Sequence, residues 1–351
     1  MNALLLYCRA GFEQECAQEI VDQVYALGIE GEAEALGGGG AVLFTPESAQ
    51  AMARLRKHVR YDELAFARQL VFVFAHVELS GRDRAGPIAE AAARHGPYAA
   101  VWAEAADTET GKPVAAFARK FEPHLVKALE AREVKCDARR APRLHVFFPD
   151  SGEAWLGVSD LDNGSPWPMG IPRLRFPREA PSRSTMKLAE AFHAFLGHDD
   201  QQRLLKQGLR AVDLGAAPGG WSWQLANRGI KVTAVDNGAM DRKLLADYPV
   251  THVRDDGFRY RPAKPVDWMV CDMVESPSRI AQLVGKWLAQ GWCRQCIFNL
   301  KLPMKRRYEE LQRCRAILDA ALAQTDAPFR LHFKQLYHDR EEVTGYLCRE
   351  G

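Results

Sequence analysis

No apolar run in this chain of 351 residues approaches the roughly 20 residues that a membrane-spanning helix needs. The opening MNALLLYCRAGFEQE has no basic stretch ahead of its short apolar run and meets acidic residues within a few positions, unlike a signal peptide. A cytoplasmic protein without a membrane partner is expected. Cysteine is too scattered for a disulfide framework: the eight lie at 8, 16, 136, 271, 293, 296, 314 and 348, mostly in apolar runs. Cys293 and Cys296 form a single CxxC with no second pair, and His193, His252, His332 and His338 lack ligand spacing. Reduced, mostly buried thiols and no metal are expected. An excess of one charge is missing too, since the net charge is only +2. Nucleic-acid binding therefore cannot be argued from the total, only from local excess. Two segments supply it. Residues 112–143 carry nine Lys or Arg against four acids, and IPRLRFPREAPSRSTMK at 171–187 carries five against one.

The chain has no internal repeat, and GGGG at 37–40 is its only low-complexity tract. Its first part alternates strand and helix patterns with hairpins, an α+β arrangement. ALLLYC suits a strand, and Phe12, Cys16, Ile20, Val24 and Leu27 recur at helical spacing. RQLVFVFAHVEL, YAAVWAEA, RLHVFF and EAWLGVS read as further strands, with helices over 85–95 and 114–132. Five prolines in 161–182 exclude a long helix or a central strand there and place a boundary near residue 170. Beyond it, SRSTMKLAEAFHAFLG reads as a helix with a Ser or Thr cap, ending at Gly197. LRAVDL, KVTAVD, THVR, VDWMVCD and CIFNLK follow as strands separated by helices, which predicts a doubly wound parallel sheet. FRLHFKQL and VTGYLCR, joined by a short loop, are expected to pair antiparallel.

The chemistry centres on DLGAAPGGW at 213–221, a strand, a tight turn and a helix start. Glycine there allows positive φ and close approach of a ligand at the carboxyl end of the first strand. Neither GxGxxG nor GxxxxGK[ST] is present, so no pyrophosphate is implied. Asp236 ends the second strand, 21 residues after Gly215, where a carboxylate can accept from ribose hydroxyls. Asp255 and Asp256 follow the third strand, and either can accept from an adenine amino group. An adenosine without phosphates points to S-adenosyl-L-methionine and to methyl transfer. A [DN]PP[YF] segment, suited to base amino groups, is absent. So are the Pro-Cys and Thr-Cys dipeptides expected of a pyrimidine carbon-5 nucleophile. A ribose hydroxyl instead needs a base to take its proton, and a lysine can serve when cations or desolvation lower its pKa. Asp272, Lys301, Lys187 and Glu342 can all converge above one sheet edge.

SRSTMKLAEAF, DLGAAPGGW, CDMVESP, NLKLP and EEVTGY together resemble the FtsJ-like RNA 2′-O-ribose methyltransferases, over about residues 180–351. YCRAGFEQECAQEI and the α+β region around it resemble the front of the subgroup acting on a cytidine of bacterial 23S rRNA, in the peptidyl transferase loop. The resemblance implies a ferredoxin-like segment at 1–80, a THUMP-like RNA-binding domain at 81–165, a Pro/Arg-rich linker at 166–181 and a Rossmann-like methyltransferase domain at 182–351. It also implies that Ser184, Ala217, Pro218, Gly219, Gly220, Asp236 and Asp256 hold the methyl donor, with Asp272 at its methionine part. Lys301 would accept the 2′-hydroxyl proton, Lys187 would orient the ribose and Glu342 would hold a lysine. Within the Asp255–Asp256 and Glu341–Glu342 pairs the resemblance alone chooses, and HDREE replaces the family's usual Ser-x-Glu. The implied partner is 23S rRNA, naked or in an early large-subunit precursor, and a monomer is expected. Two alternatives stay open: methylation of a small-molecule hydroxyl, and an RNA-binding ribosome-assembly protein with a vestigial cofactor pocket.

Overall fold

The computed structural model describes residues 3–323, 325 and 327–350. The chain forms two compact units, Met1–Ile171 and Pro172–Gly351.

The first unit runs β1 (Ala3–Tyr7), α1 (Glu13–Tyr25), β2 (Gly31–Ala35), β3 (Ala41–Pro46), α2 (Ala49–His58) and β4 (Gln69–Glu78). It continues with α3 (Ala85–Ala93), β5 (Ala100–Glu104), α4 (Lys112–Glu130), β6 (Arg143–Phe147) and β7 (Glu153–Ser159). Cys16, Ile20 and Val24 of α1 are buried, as their helical spacing predicts. Glu19, on the same helix, is buried as well, and its carboxylate accepts from the backbone N–H groups of Ala65 and Phe66 at 2.7 and 2.9 Å. One sheet, in the order β2-β3-β1-β4-β7-β6-β5, crosses the whole unit. The antiparallel pairing of β4 with β7, interrupted by a bulge between Val73 and Ala75, makes it continuous.

Four buried polar side chains fasten this sheet. Glu104 at the end of β5 accepts from the Tyr7 hydroxyl at 2.8 Å and pairs with His145 Nδ1 at 2.7 Å. The other ring nitrogen of His145 meets the Ser159 hydroxyl at 2.8 Å, and the Met169 N–H donates to the second Glu104 oxygen at 2.5 Å. Tyr7, His145 and Ser159 are wholly buried, so this Ser-His-Glu arrangement is a structural tie with no access for a substrate.

The second unit runs α5 (Thr185–Phe195), α6 (His198–Leu204), β8 (Arg210–Leu214), α7 (Gly220–Ala226), β9 (Lys231–Val235), α8 (Arg242–Asp247) and β10 (Val250–Val253). β11 (Val266–Cys271), α9 (Pro277–Ala289), β12 (Cys293–Lys301), α10 (Arg307–Leu322), β13 (Phe329–Lys334) and β14 (Glu342–Arg349) complete it. The sheet order is β10-β9-β8-β11-β12-β14-β13. β8 to β12 are parallel, and β14 is wedged antiparallel between β12 and β13. Leu188 and Phe192 of α5 pack with Trp268, Ile297 and Tyr346 in the core on one sheet face. The helix expected over 182–197 is divided: α5 stops at Phe195, and Gly197 leads into α6. Its expected cap does not form. Ser184 already has helical backbone angles, so its hydroxyl cannot fold back to the first turn, and it meets the Ser182 hydroxyl at 2.6 Å instead. All eight cysteines are free thiols, seven of them buried.

Candidate active site

The glycine turn leaves β8 at Gly215 and enters α7 at Gly220. Gly219 has φ +119, and a Cβ there would run into the side chains of Leu244 and Met240. A Cβ on Gly220 would strike the Ser184 and Ser182 hydroxyls, so this glycine lets α5 approach the turn. Trp221 is buried and its indole N–H donates to the Ser184 carbonyl at 3.0 Å. Beneath the turn, wholly buried Asp213 accepts from the Ser222 hydroxyl at 2.7 Å. Burial pushes its carboxyl up to about 7, although that hydrogen bond acts in the opposite direction.

A cavity of about 380 Å³ opens beside the turn, within the range of nucleoside-sized sites. Gly215, Ala217, Asp236, Asp255, Asp256 and Asp272 line it, together with Asn237, Phe258 and Met273. With Glu275 it holds five carboxylates and no lysine or arginine. Such a lining repels phosphate and suits a cationic, phosphate-free ligand. Asp236 is held by two backbone donors, Ala217 N–H at 3.0 Å and Gly238 N–H at 2.6 Å, which fix the carboxylate at the cavity wall. Asp255 turns back to accept from the Asp256 N–H, and Asp256 accepts from the Phe258 N–H at 2.9 Å. Ser184, Pro218, Gly219 and Gly220 lie outside the lining.

At the carboxyl edge of the sheet the four chemistry-bearing residues meet. Lys301 ends β12 and stands opposite Glu342, the first residue of β14. Lys187, from the first turn of α5, donates to Glu342 Oε1 at 3.0 Å and lies 3.5 Å from Asp272 Oδ2. Burial pushes the Asp272 carboxyl up despite Lys187 and Lys301. Burial also acts against the charge on Lys187, but Asp272 and Glu342 outweigh it and raise the amine. Glu342 is lowered: burial is overcome by the Arg340 N–H and by both lysines. Lys187 is thus a fixed cation between two carboxylates. Among the described residues, no acid lies within ion-pair distance of the Lys301 amine. Asn299, which pattern reasoning passed over, donates to Asp272 Oδ1 at 3.0 Å. Its only signal is its place two residues before Lys301, on the same strand face.

The 171–187 segment is irregular up to α5. Arg175, Arg178 and Arg183 are exposed, Arg173 lies over the Tyr337 ring, and Phe176 is 46% exposed. Among the described residues, no group of His, Cys, Asp and Glu is able to hold a metal, and no helix is long and apolar enough to cross a membrane.

Parallel strands ending in a glycine turn and acidic side chains, closed by an antiparallel β14, define a Rossmann-like methyltransferase domain carried behind an α+β unit. Three family models match in chain order: an RlmM ferredoxin-like domain over residues 1–71, the N-terminal region of ribosomal RNA large subunit methyltransferase M over 83–160, and an FtsJ-like methyltransferase over 180–316. The chain is 51% identical to ribosomal RNA large subunit methyltransferase M of Methylococcus capsulatus, covering 99% of this chain and 98% of the relative. The proteins of the same name from Cellvibrio japonicus and Aromatoleum aromaticum are 48% and 50% identical, each over 99% of this chain and over 99% and 95% of their own lengths. The chain belongs to the ribosomal RNA large subunit methyltransferase M family.

Proposed function

We propose that this protein transfers a methyl group from S-adenosyl-L-methionine to a ribose 2′-hydroxyl of 23S rRNA, by resemblance that of a cytidine. The observation that carries the residue roles is the unequal treatment of the two lysines. Lys187 is pinned by Asp272 and Glu342, whereas no acid among the described residues pairs with Lys301.

Asp236 and Asp256, beside the turn Ala217–Gly220, hold the nucleoside part of the methyl donor, and Ser184 borders the turn. When bound, the donor supplies a methyl already activated by a sulfonium. Asp272 faces that positive charge from the cavity wall. Lys187 stays protonated and orients the ribose, held there by Glu342. Lys301 is placed to take the 2′-hydroxyl proton as the oxygen attacks the methyl carbon. Bound there, the donor would keep the C–S electron pair on its sulfur as the methyl leaves, so charge and protons would balance.

The first unit, with its segments 1–80 and 81–165, supplies the RNA platform. The 166–181 linker, with its exposed Arg175 and Arg178, and the exposed Arg183 just beyond it track phosphates toward the site. The protein acts as a monomer on naked 23S rRNA or an early large-subunit precursor. A vestigial pocket would not need Lys187, Asp272, Lys301 and Glu342 kept together at one sheet edge. The test is a Lys301→Ala protein assayed for donor binding and for transfer. It is expected to bind S-adenosyl-L-methionine as wild type does and to transfer methyl at least roughly a hundredfold more slowly. Wild-type transfer would remove Lys301 from this role.

A further inference from the structure

The hydrogen bonds around Asp272 continue behind the lysines into buried groups to which the reaction gives no part. Asn299 and Thr344 stand opposite each other across β12 and β14, two residues along from the Lys301–Glu342 pair, so all four share one face of the sheet. Asn299 donates to Asp272 Oδ1 at 3.0 Å. Thr344 Oγ1 is 2.8 Å from Asn299 Oδ1 and 2.9 Å from Asp339 Oδ2. Asn299, Thr344 and Asp339 are each at most 1% exposed.

Proton counting gives this row a direction. Asp272 accepts, so the Asn299 amide nitrogen faces it and the Asn299 carbonyl faces Thr344. A hydroxyl has one hydrogen. If Thr344 gives it to the Asn299 carbonyl, its oxygen needs a donor from Asp339, and that carboxyl must then carry a proton. Burial acts in the same sense, pushing Asp339 well above the usual carboxylate range despite the Leu336 N–H and the charge of Lys187. Oδ2 of Asp339 also accepts from the Leu336 N–H at 3.0 Å, which anchors the far end of the row in the β13–β14 loop.

We propose that Asp339, Thr344 and Asn299 are positioning residues, a one-way row of hydrogen bonds from the Asp339 hydroxyl through Thr344 and Asn299 that fixes the Asp272 carboxylate with Oδ2 toward Lys187. The proposal rests on the role given to Asp272 above. The row ends on Asp272 Oδ1, so the carboxylate is held before the methyl donor arrives rather than reoriented during transfer.

The experiment compares full-length variants by single-turnover methyl transfer to rRNA, with the KM for RNA, donor affinity and thermal unfolding measured beside it. Thr344→Val keeps the shape and removes the hydroxyl. It is expected to slow kcat roughly tenfold while the KM for RNA stays within about twofold. Thr344→Ser is expected to restore the rate. Asp339→Asn can still donate to Thr344 and is expected to stay within about threefold of wild type, whereas Asp339→Leu falls with Thr344→Val. A Thr344→Val protein at the wild-type rate, or an Asp339→Asn protein as slow as Asp339→Leu, would overturn the row. Should Asp339→Leu fail to fold, the Val and Ser pair at 344 still decides. Asp272→Asn in parallel separates the two levels. If it transfers normally, the role of Asp272 fails. If it is slow while Thr344→Val is not, the row alone fails. The double variant Asp272→Asn/Thr344→Val is expected to be no slower than Asp272→Asn, because the row acts only through Asp272, and a further drop would contradict that.

Discussion

Glu342 hydrogen-bonds Lys187 at 3.0 Å from the strand position that stands opposite Lys301 across β12 and β14, so it holds one lysine beside the strand end that carries the other. Glu342→Ala is expected to lower kcat by roughly tenfold to a hundredfold and to leave S-adenosyl-L-methionine affinity within about twofold, since Glu342 is not among the cavity-lining residues. Single-turnover transfer and calorimetric titration of the donor check the two halves.

Gly219 tests the turn. Its φ of +119 and the nearness of Leu244 and Met240 leave no room for a side chain. Gly219→Ala is expected to cost about 1–3 kcal/mol in stability and to weaken donor binding, read by denaturant unfolding and titration.

Asp213 gives a pH test. The native carboxyl holds its proton up to about 7, whereas its ordinary value is 3.8. Its contribution to stability is therefore full below about 3.8 and is lost as pH rises through about 7. Asp213→Asn keeps an acceptor for Ser222 and has no charge to form. Denaturant unfolding at about pH 5 and about pH 8 is expected to show the variant gaining on wild type at the higher pH. An equal difference at both would show that Asp213 does not titrate there.

In the first unit, Glu104→Ala strips partners from Tyr7, His145 and the Met169 N–H together. It is expected to cost about 3 kcal/mol or more, against about 1 kcal/mol for Ser159→Ala. Two-wavelength denaturation of the whole chain checks the ranking.

The parts legible in the sequence were those with local signals. DLGAAPGG announces its turn because glycine and proline constrain the backbone directly, and the strand-end acids follow from strand spacing. The antiparallel partnership of the last two strands follows from their short loop. The wedging of β14 between β12 and β13 does not, because nothing local in VTGYLCR says which edge it joins. Yet this placement sets Glu342 beside Lys301 and Thr344 beside Asn299. The missing Ser184 cap has a similar cause: Gly220 brings α5 against the turn, a tertiary contact that overrides the local capping preference. Glu104 and His145 looked like ordinary strand residues, and only the sheet joins them across 41 positions.

The most direct test of the central claim is transfer of labelled methyl to rRNA from cells lacking this gene, followed by alkaline hydrolysis. A 2′-O-methyl removes the hydroxyl that alkaline cleavage requires. The account predicts label in an uncleaved dinucleotide with wild-type protein and almost none with Lys301→Ala. Label released wholly in mononucleotides would mean base methylation and would contradict the roles given to Lys187, Asp272, Lys301 and Glu342.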